Sequence, residues 1–190
     1  MTVREYLKTR DACWDIDAFE NEEEKQEELK NKVIAYNDDL VAKYPFLEAR
    51  NVWDDEPPED NLHTWLDDMP DGWRVRFGNA MCESIKEDLL DGGGEEALRD
   101  YRLVQIKEKY GCLCWYSSWT TDPLEDTISY YEDLSWRTCI QCGKRSKYYT
   151  TGWIAPYCED CAKEIHEHHL KTYPNTQFDN LFNRIEGVMI

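Results

Sequence analysis

Cys139-Ile-Gln-Cys142-Gly143 and Cys158-Glu-Asp-Cys161, separated by the fifteen residues 143–157, decide how this chain is read. Two C-x-x-C pairs at this spacing are the pattern of a four-cysteine zinc site. A C-x-x-C turn lets two thiolates converge on one ion, and Gly143 permits the tight backbone that follows the first pair. Four thiolates close a tetrahedron and leave no open coordination position, which predicts a structural centre holding one Zn²⁺ rather than a catalytic one. An iron–sulfur cluster is the minor alternative for the same ligands.

The flanking sequence gives the site its scaffold. Lys147–Thr151 and Trp153–Ala155 bracket Gly152 and predict a short hairpin. Ala162–Lys171 has helical propensity. Knuckle, hairpin and helix together predict a zinc ribbon or treble-clef-like unit over 136–172. Trp136 and Trp153 are expected to lie largely buried beside the metal. His166, His168 and His169 follow the second pair but are expected to face solvent. His168 is seven residues from Cys161, roughly 10 Å along a helix and too far to share its ion. A treble-clef nuclease needs a histidine base inside the hairpin, and 143–157 contains none.

Outward from this unit, the remaining chain is acidic. Of 190 residues, 40 are Asp or Glu and 22 are Lys or Arg, giving −18. Residues 1–100 carry 28 acids and 12 bases, whereas 101–190 carry 12 and 10. Such a charge repels phosphate backbones and anionic membranes, which disfavours direct nucleic-acid binding and favours a partner protein with a basic surface. Candidate contacts are Glu22, Glu23, Glu24, Glu27 and Glu28 at the start of a helix, and Asp54, Asp55 and Glu56 in an irregular acidic stretch over 51–72. A hard-cation site there lacks calcium-loop spacing, so the stretch is expected to be a solvated loop. A competing nucleic-acid surface would use the locally basic Lys144, Arg145 and Lys147 with Tyr148 and Tyr149. The simpler role for these cations is to offset the thiolate charge and contact the acidic half.

The predicted class is α+β: an acidic, helix-rich part over 1–135, the zinc unit over 136–172 and a tail over 173–190, packed as one body. Leu29, Val33, Tyr36 and Leu40 step at helical period through 21–43 and form a core-facing stripe. Met81, Ile85 and Leu89 share a face of a helix over 79–91, which Gly92-Gly93-Gly94 is expected to stop. Leu103–Lys107 and Cys112–Tyr116 predict a hairpin turning at Lys109-Tyr110-Gly111, and Leu124, Ile128, Tyr131 and Leu134 a helix over 122–134. Cys112 and Cys114 fall on one strand face. They are read as small core residues, the alternative being a second metal site with Cys82 or Cys13. Hydrolase, zinc-protease and phosphate-loop motifs are absent, so a metalloenzyme ranks last among the functional classes. Without an apolar leader or an 18-residue apolar run, the chain is expected in a reducing cytoplasm.

Tyr44-Pro-Phe-Leu47, Leu66-Asp-Asp-Met-Pro-Asp-Gly-Trp73, Phe77–Cys82, Gln105-Ile-Lys-Glu-Lys-Tyr-Gly111, Cys139–Lys144 and Gly152–Cys158 carry a resemblance. Together these segments, spanning roughly 44–161, resemble a group of small zinc-ribbon proteins of tailed bacteriophages and prophages. The Cys112-Leu-Cys114 pair departs from the basic residue expected beside Gly111. The resemblance implies an accessory protein acting in a bacterial cytoplasm, by binding and inhibiting a host or anti-phage defence protein. It transfers no catalytic residues.

Overall fold

The computed structural model describes residues 1–15, 23–51 and 55–185. It is a mixed helix and sheet structure with two small antiparallel sheets. Helix α1 (Val3–Trp14) starts on a capping box. Thr2 Oγ1 accepts from the Glu5 amide at 3.2 Å, and the Glu5 carboxylate accepts from the Thr2 amide at 2.7 Å. It packs on α2 (Glu23–Lys43), where the Tyr6 ring stacks on Tyr36 with centroids 4.2 Å apart. The α2 stripe turns inward as its period demands. Val33 and Leu40 are buried, while Leu29 and Tyr36 pack half-buried against them.

The main core forms where α2 runs into Phe46 and Leu47, and where a single turn α3 (Asp71–Trp73) passes through a π-helical turn (Arg74–Gly78) into α4 (Asn79–Asp100). Trp73, Phe77, Met81, Ile85 and Leu89 line its inner side. The triple glycine does not end this helix. Gly94 takes a non-helical φ of 66° and kinks it, and Glu95–Arg99, good helix formers, carry it on so that Leu98 reaches the core.

Strands β1 (Leu103–Lys109) and β2 (Cys112–Ser117) pair antiparallel around a two-residue turn. Tyr110 and Gly111 both have positive φ, 52° and 82°, as the tight hairpin turn that matches strand twist requires. Leu113 and Trp115 face inward, and the Trp115 indole donates to the Tyr101 hydroxyl at 3.0 Å. Helix α5 (Asp122–Ser135) packs on α4 and closes the free edge of β2. Ser135 Oγ accepts from the Leu113 amide at 2.9 Å and Glu132 Oε1 from the Trp115 amide at 3.1 Å. The second sheet orders β4 (Pro156–Tyr157), β3 (Tyr148–Thr150) and β5 (Phe182–Arg184), and α6 (Glu159–Leu170) follows it. The tail therefore supplies an edge strand to the hairpin of the four-cysteine unit, with Phe182 buried against Tyr148 and Tyr157.

A polar centre lies between α1 and the π-helical turn. Arg74 is fully buried, lies 4.4 Å over the Tyr6 ring and pairs with Asp67. Asp67, expected in a solvated loop, is buried as well. It accepts from the Tyr6 hydroxyl at 2.8 Å and from the Thr64 amide at 2.9 Å. Burial alone would raise its pKa, but the Arg74 charge and these donors outweigh burial and hold it below the ordinary carboxylate value. A depressed folded-state pKa contributes stability that is fully present above the unfolded pKa and is lost as pH falls from there through the lower folded-state pKa. Wild-type stability should thus exceed that of Asp67→Asn at neutral pH and converge towards it below about pH 4. Urea midpoints of both proteins across pH 3–7 test this, and a gap that does not narrow as pH falls refutes it.

Candidate metal centre

The four predicted ligands come together. The sulfur atoms of Cys139, Cys142, Cys158 and Cys161 all lie within 4.8 Å of one another. Two local structures aim them. In the first knuckle, the Cys139 amide donates to Lys144 O at 2.7 Å and the Gly143 amide returns to Cys139 O at 3.0 Å. That tight reversal needs the left-handed φ of 79° at Gly143. In the second, Cys158 is the N-cap of α6 and its Sγ accepts from the Cys161 amide at 3.5 Å. One ligand therefore precedes the helix and the other sits in its first turn.

The donor set fits one soft or borderline divalent ion. Tetrahedral Zn–S bonds of about 2.3 Å place sulfurs about 3.8 Å apart. Cys142 and Cys158 are at 3.5 Å. Three of the four cysteines are buried, and thiols rather than carboxylates exclude a hard-cation cage. The site also favours an initial thiolate. Burial pushes Cys158 up, but the Cys161 amide and the neighbouring thiols more than reverse it and leave Cys158 below an ordinary thiol. Burial raises both Cys142 and Cys161. With all four positions filled by sulfur, a bound ion keeps no open site for substrate.

The knuckle is docked against the helical part backbone to backbone. The Gly72 amide donates to Ile140 O at 2.9 Å, and the Trp73 indole N–H to Thr138 O at 2.9 Å. A Cβ built on Gly72 would stand 2.2 Å from Cys139 O, and one on Gly143 2.6 Å from Gly72 O. From α1, Arg4 donates to Cys142 O at 3.2 Å.

Other expectations around the site need correction. Trp153 is 72% exposed rather than buried beside the metal. It sits at the hairpin tip with its indole N–H held by Glu108 Oε2 at 2.9 Å. Trp136 is only half-buried and meets Tyr149 edge-on. Lys144 and Lys147 pair with Asp160 and Glu159 of α6, at 2.8 and 2.6 Å, rather than with the acidic N-terminal half. Arg145 is exposed. Tyr148 and Tyr149 are half-buried, and Tyr149 donates to Trp136 O at 2.8 Å, so neither offers a free stacking face. His168 is exposed, but His166 is half-buried, with Nε2 2.9 Å from Thr176 O.

Cys82 and Cys13 lie in separate apolar clusters, and Cys112 and Cys114 are half-buried on the hairpin rather than in the core. Among the described residues, no second group of three potential ligands forms. Of the acidic candidates, Glu22 and Asp54 lie outside the described residues, and Glu23 opens α2. Glu24, Glu27, Glu28, Asp55 and Glu56 are exposed, with Glu28 paired to Lys32 at 2.6 Å and Asp55 beside Arg50.

A further concentration of acids lies on α4 and α5. Helices α4 and α5 carry twelve acids against two bases, a net −10. Glu87, Asp91, Glu95, Glu96, Asp100, Asp122, Glu125, Asp126 and Asp133 are all exposed. A charge count over predicted helices, rather than over halves of the chain, would have found it. Among the described residues, no helix is long and apolar enough to cross a membrane. No protein-family model, curated protein or solved structure matches this chain.

Replacing Gly72 with Ala should cost about 2 kcal/mol or more, because neither backbone can yield to the new Cβ. Gly152→Ala, where a Cβ meets nothing, should be nearly neutral. Thermal and urea unfolding of the metal-loaded variants measure both, and equal effects would refute the docking argument.

Proposed function

We propose that this protein is a non-enzymatic, zinc-stabilised binding protein that presents an acidic helical surface to a basic partner protein. The knuckle, the hairpin and a helix that opens on its second cysteine pair favour a treble-clef-like reading over a ribbon. One Zn²⁺ held by Cys139, Cys142, Cys158 and Cys161 would supply folding energy that so small a hairpin cannot obtain from burial. Because its ligand set is closed, the metal would contribute no chemistry beyond that.

The observation that carries the binding reading is the net −10 on α4 and α5. Within that surface Tyr130 is 62% exposed, one helical turn from Asp126 and Asp133. An exposed tyrosine among carboxylates supplies an anchor of the type that dominates interfaces, inside a field that steers a basic partner. The exposed acids of α2 and Asp55 and Glu56 would extend the same field. Inhibition of a host or anti-phage defence protein, by imitating a polyanion, is the biological setting that the phage resemblance suggests. The nucleic-acid alternative is weakened because Lys144 and Lys147 already face acids of α6 and the two tyrosines are engaged.

A pull-down from bacteria expressing the tagged chain, washed at rising salt, tests the reading. The wild type should retain a protein whose capture weakens steeply with salt, since exposed charges are screened over roughly 10 Å at 0.1 M. Asp126→Lys/Asp133→Lys and Tyr130→Ala should each lose it while still binding one zinc per chain by elemental analysis. Capture that survives both changes, or nuclease-sensitive capture of nucleic acid, refutes it. Two zincs per chain would instead assign a metal to Cys112 and Cys114.

A further inference from the structure

Two of the cysteines belong neither to the four-cysteine cluster nor to an apolar core. Cys112 and Cys114 are half-buried on β2, and their alternation with the buried Leu113 and Trp115 sets both on the outer face of the first hairpin. The strand register places Lys109 directly opposite Cys112 and Lys107 directly opposite Cys114. Opposed residues on one face have Cβ atoms about 4.5–5.5 Å apart, so two thiols and two lysines stand side by side.

A small side chain that fits beside α5 is the ordinary reason for a cysteine at such a place. That reason covers Cys112, whose Sγ lies 3.3 Å from Leu113 O and 3.5 Å from Glu132 O. It does not ask for a second thiol two residues on, nor for lysines across from both. The lysines are not consumed by acids. Lys107 Nζ donates to Gln105 Oε1 at 2.6 Å and lies 4.8 Å over the Tyr116 ring, and Lys109 Nζ lies 5.9 Å over the Tyr110 ring. Glu108, between them in sequence, falls on the opposite face with Leu113, where its oxygens accept from the Gly111 amide and the Trp153 indole. On the α5 side, Glu132 Oε1 is taken by the Trp115 amide at 3.1 Å rather than offered to the thiols.

We infer that Cys112 and Cys114 form a second metal site, for a soft monovalent ion of the copper(I) class. Thiolates select soft ions. Zinc sites take three or four protein ligands, and among the described residues no third ligand joins this pair. A closed-shell monovalent ion is satisfied by two sulfurs in a line. Binding sends one proton from each thiol to solvent, so two thiolates and one monovalent cation make a complex of single negative charge. Lys107 and Lys109 stand where that charge forms. Residues two apart on a strand are about 6.6 Å apart along one face, near the far limit for a disulfide, whereas an ion between the sulfurs spans a wider gap. Burial pushes the Cys112 thiol up, which keeps it protonated and unreactive until an ion displaces the proton. The site shares no ligand with the four-cysteine centre and does not depend on the binding reading above.

Anaerobic titration of the zinc-loaded full chain with Cu(I), presented as its bicinchoninate complex, tests the inference. The wild type should take one equivalent from the chelator before any zinc is released to a chromogenic indicator. Cys112→Ser/Cys114→Ser should lose that equivalent, and Cys114→Ser alone should weaken it at least ten-fold, both variants still holding one zinc per chain. Lys107→Gln/Lys109→Gln should weaken it several-fold. In the wild type, one equivalent of Cu(I) should also protect Cys112 and Cys114 from alkylation mapped by mass spectrometry, a measurement that needs no variant to fold. Copper taken up only as zinc leaves, an equivalent that survives the double serine variant, or alkylation of both cysteines unchanged by copper overturns the site. A second Zn²⁺ held by the same pair as tightly as Cu(I) overturns the ion class.

Discussion

The structure depends on one close approach of backbone to backbone. At Gly72 the helical part meets the first cysteine knuckle so tightly that a single methyl group would enter the space of Cys139 O and Ile140 O. The contact is bonded on both sides, by the Gly72 amide to Ile140 O and by the Trp73 indole to Thr138 O. It joins two structures stabilised in different ways. One side is a dense apolar core around Trp73, Phe77 and Met81. The other is a small unit whose sheet strands are three, two and three residues long, too short to hold themselves without a metal or a partner. A metal held by the four cysteines would fix the carbonyls onto which α3 docks, and α3 in turn aims Trp73 into the core.

Much of this was legible in the sequence wherever the information is local. Cysteine spacing identified the four cysteines that converge, because a C-x-x-C turn specifies its own geometry. The period of Leu29, Val33, Tyr36 and Leu40 gave α2, and the Tyr110-Gly111 turn gave the first hairpin. What escaped notice depends on partners far along the chain. Asp67 reads as one more acid in an acidic stretch until Arg74 and Tyr6 are brought to it. Trp153 reads as core because it is large, yet the hairpin tip projects it outward and Glu108, forty-five residues away, holds its one polar atom. The tail gives no strand signal of its own. Phe182 becomes a strand residue only against the open edge of β3. The triple glycine was overridden by the helix formers after it and by the burial of Leu98.

The segments that carry the phage resemblance turn out to be mostly structural. Met69 and Trp73 are buried and Gly72 is the docking point, which explains the Met-Pro-Asp-Gly-Trp stretch. Phe46 and Leu47 are core residues, and Tyr44 donates to Glu83 at 2.6 Å. In Gln105–Gly111, Ile106 is buried, Gly111 makes the turn, and Glu108 ties that turn to Trp153. A likeness carried by packing and turn chemistry speaks to how a chain folds, and function has to be argued from surfaces that packing does not dictate.

Those surfaces are divided by charge in a way that folding does not require. Like charges along one helix face destabilise it, and α5 carries five acids and no base to offset them. Its inner face, Leu124, Ile128, Tyr131 and Ser135, would pack equally well beneath neutral or mixed outer residues. Solubility calls for some net charge but not for its concentration on one helix pair, nor for an exposed Tyr130 in its midst. Repulsion tolerated at one place, on a scaffold joined at the cysteine knuckle, is the pattern that the partner-binding surface proposed above would require.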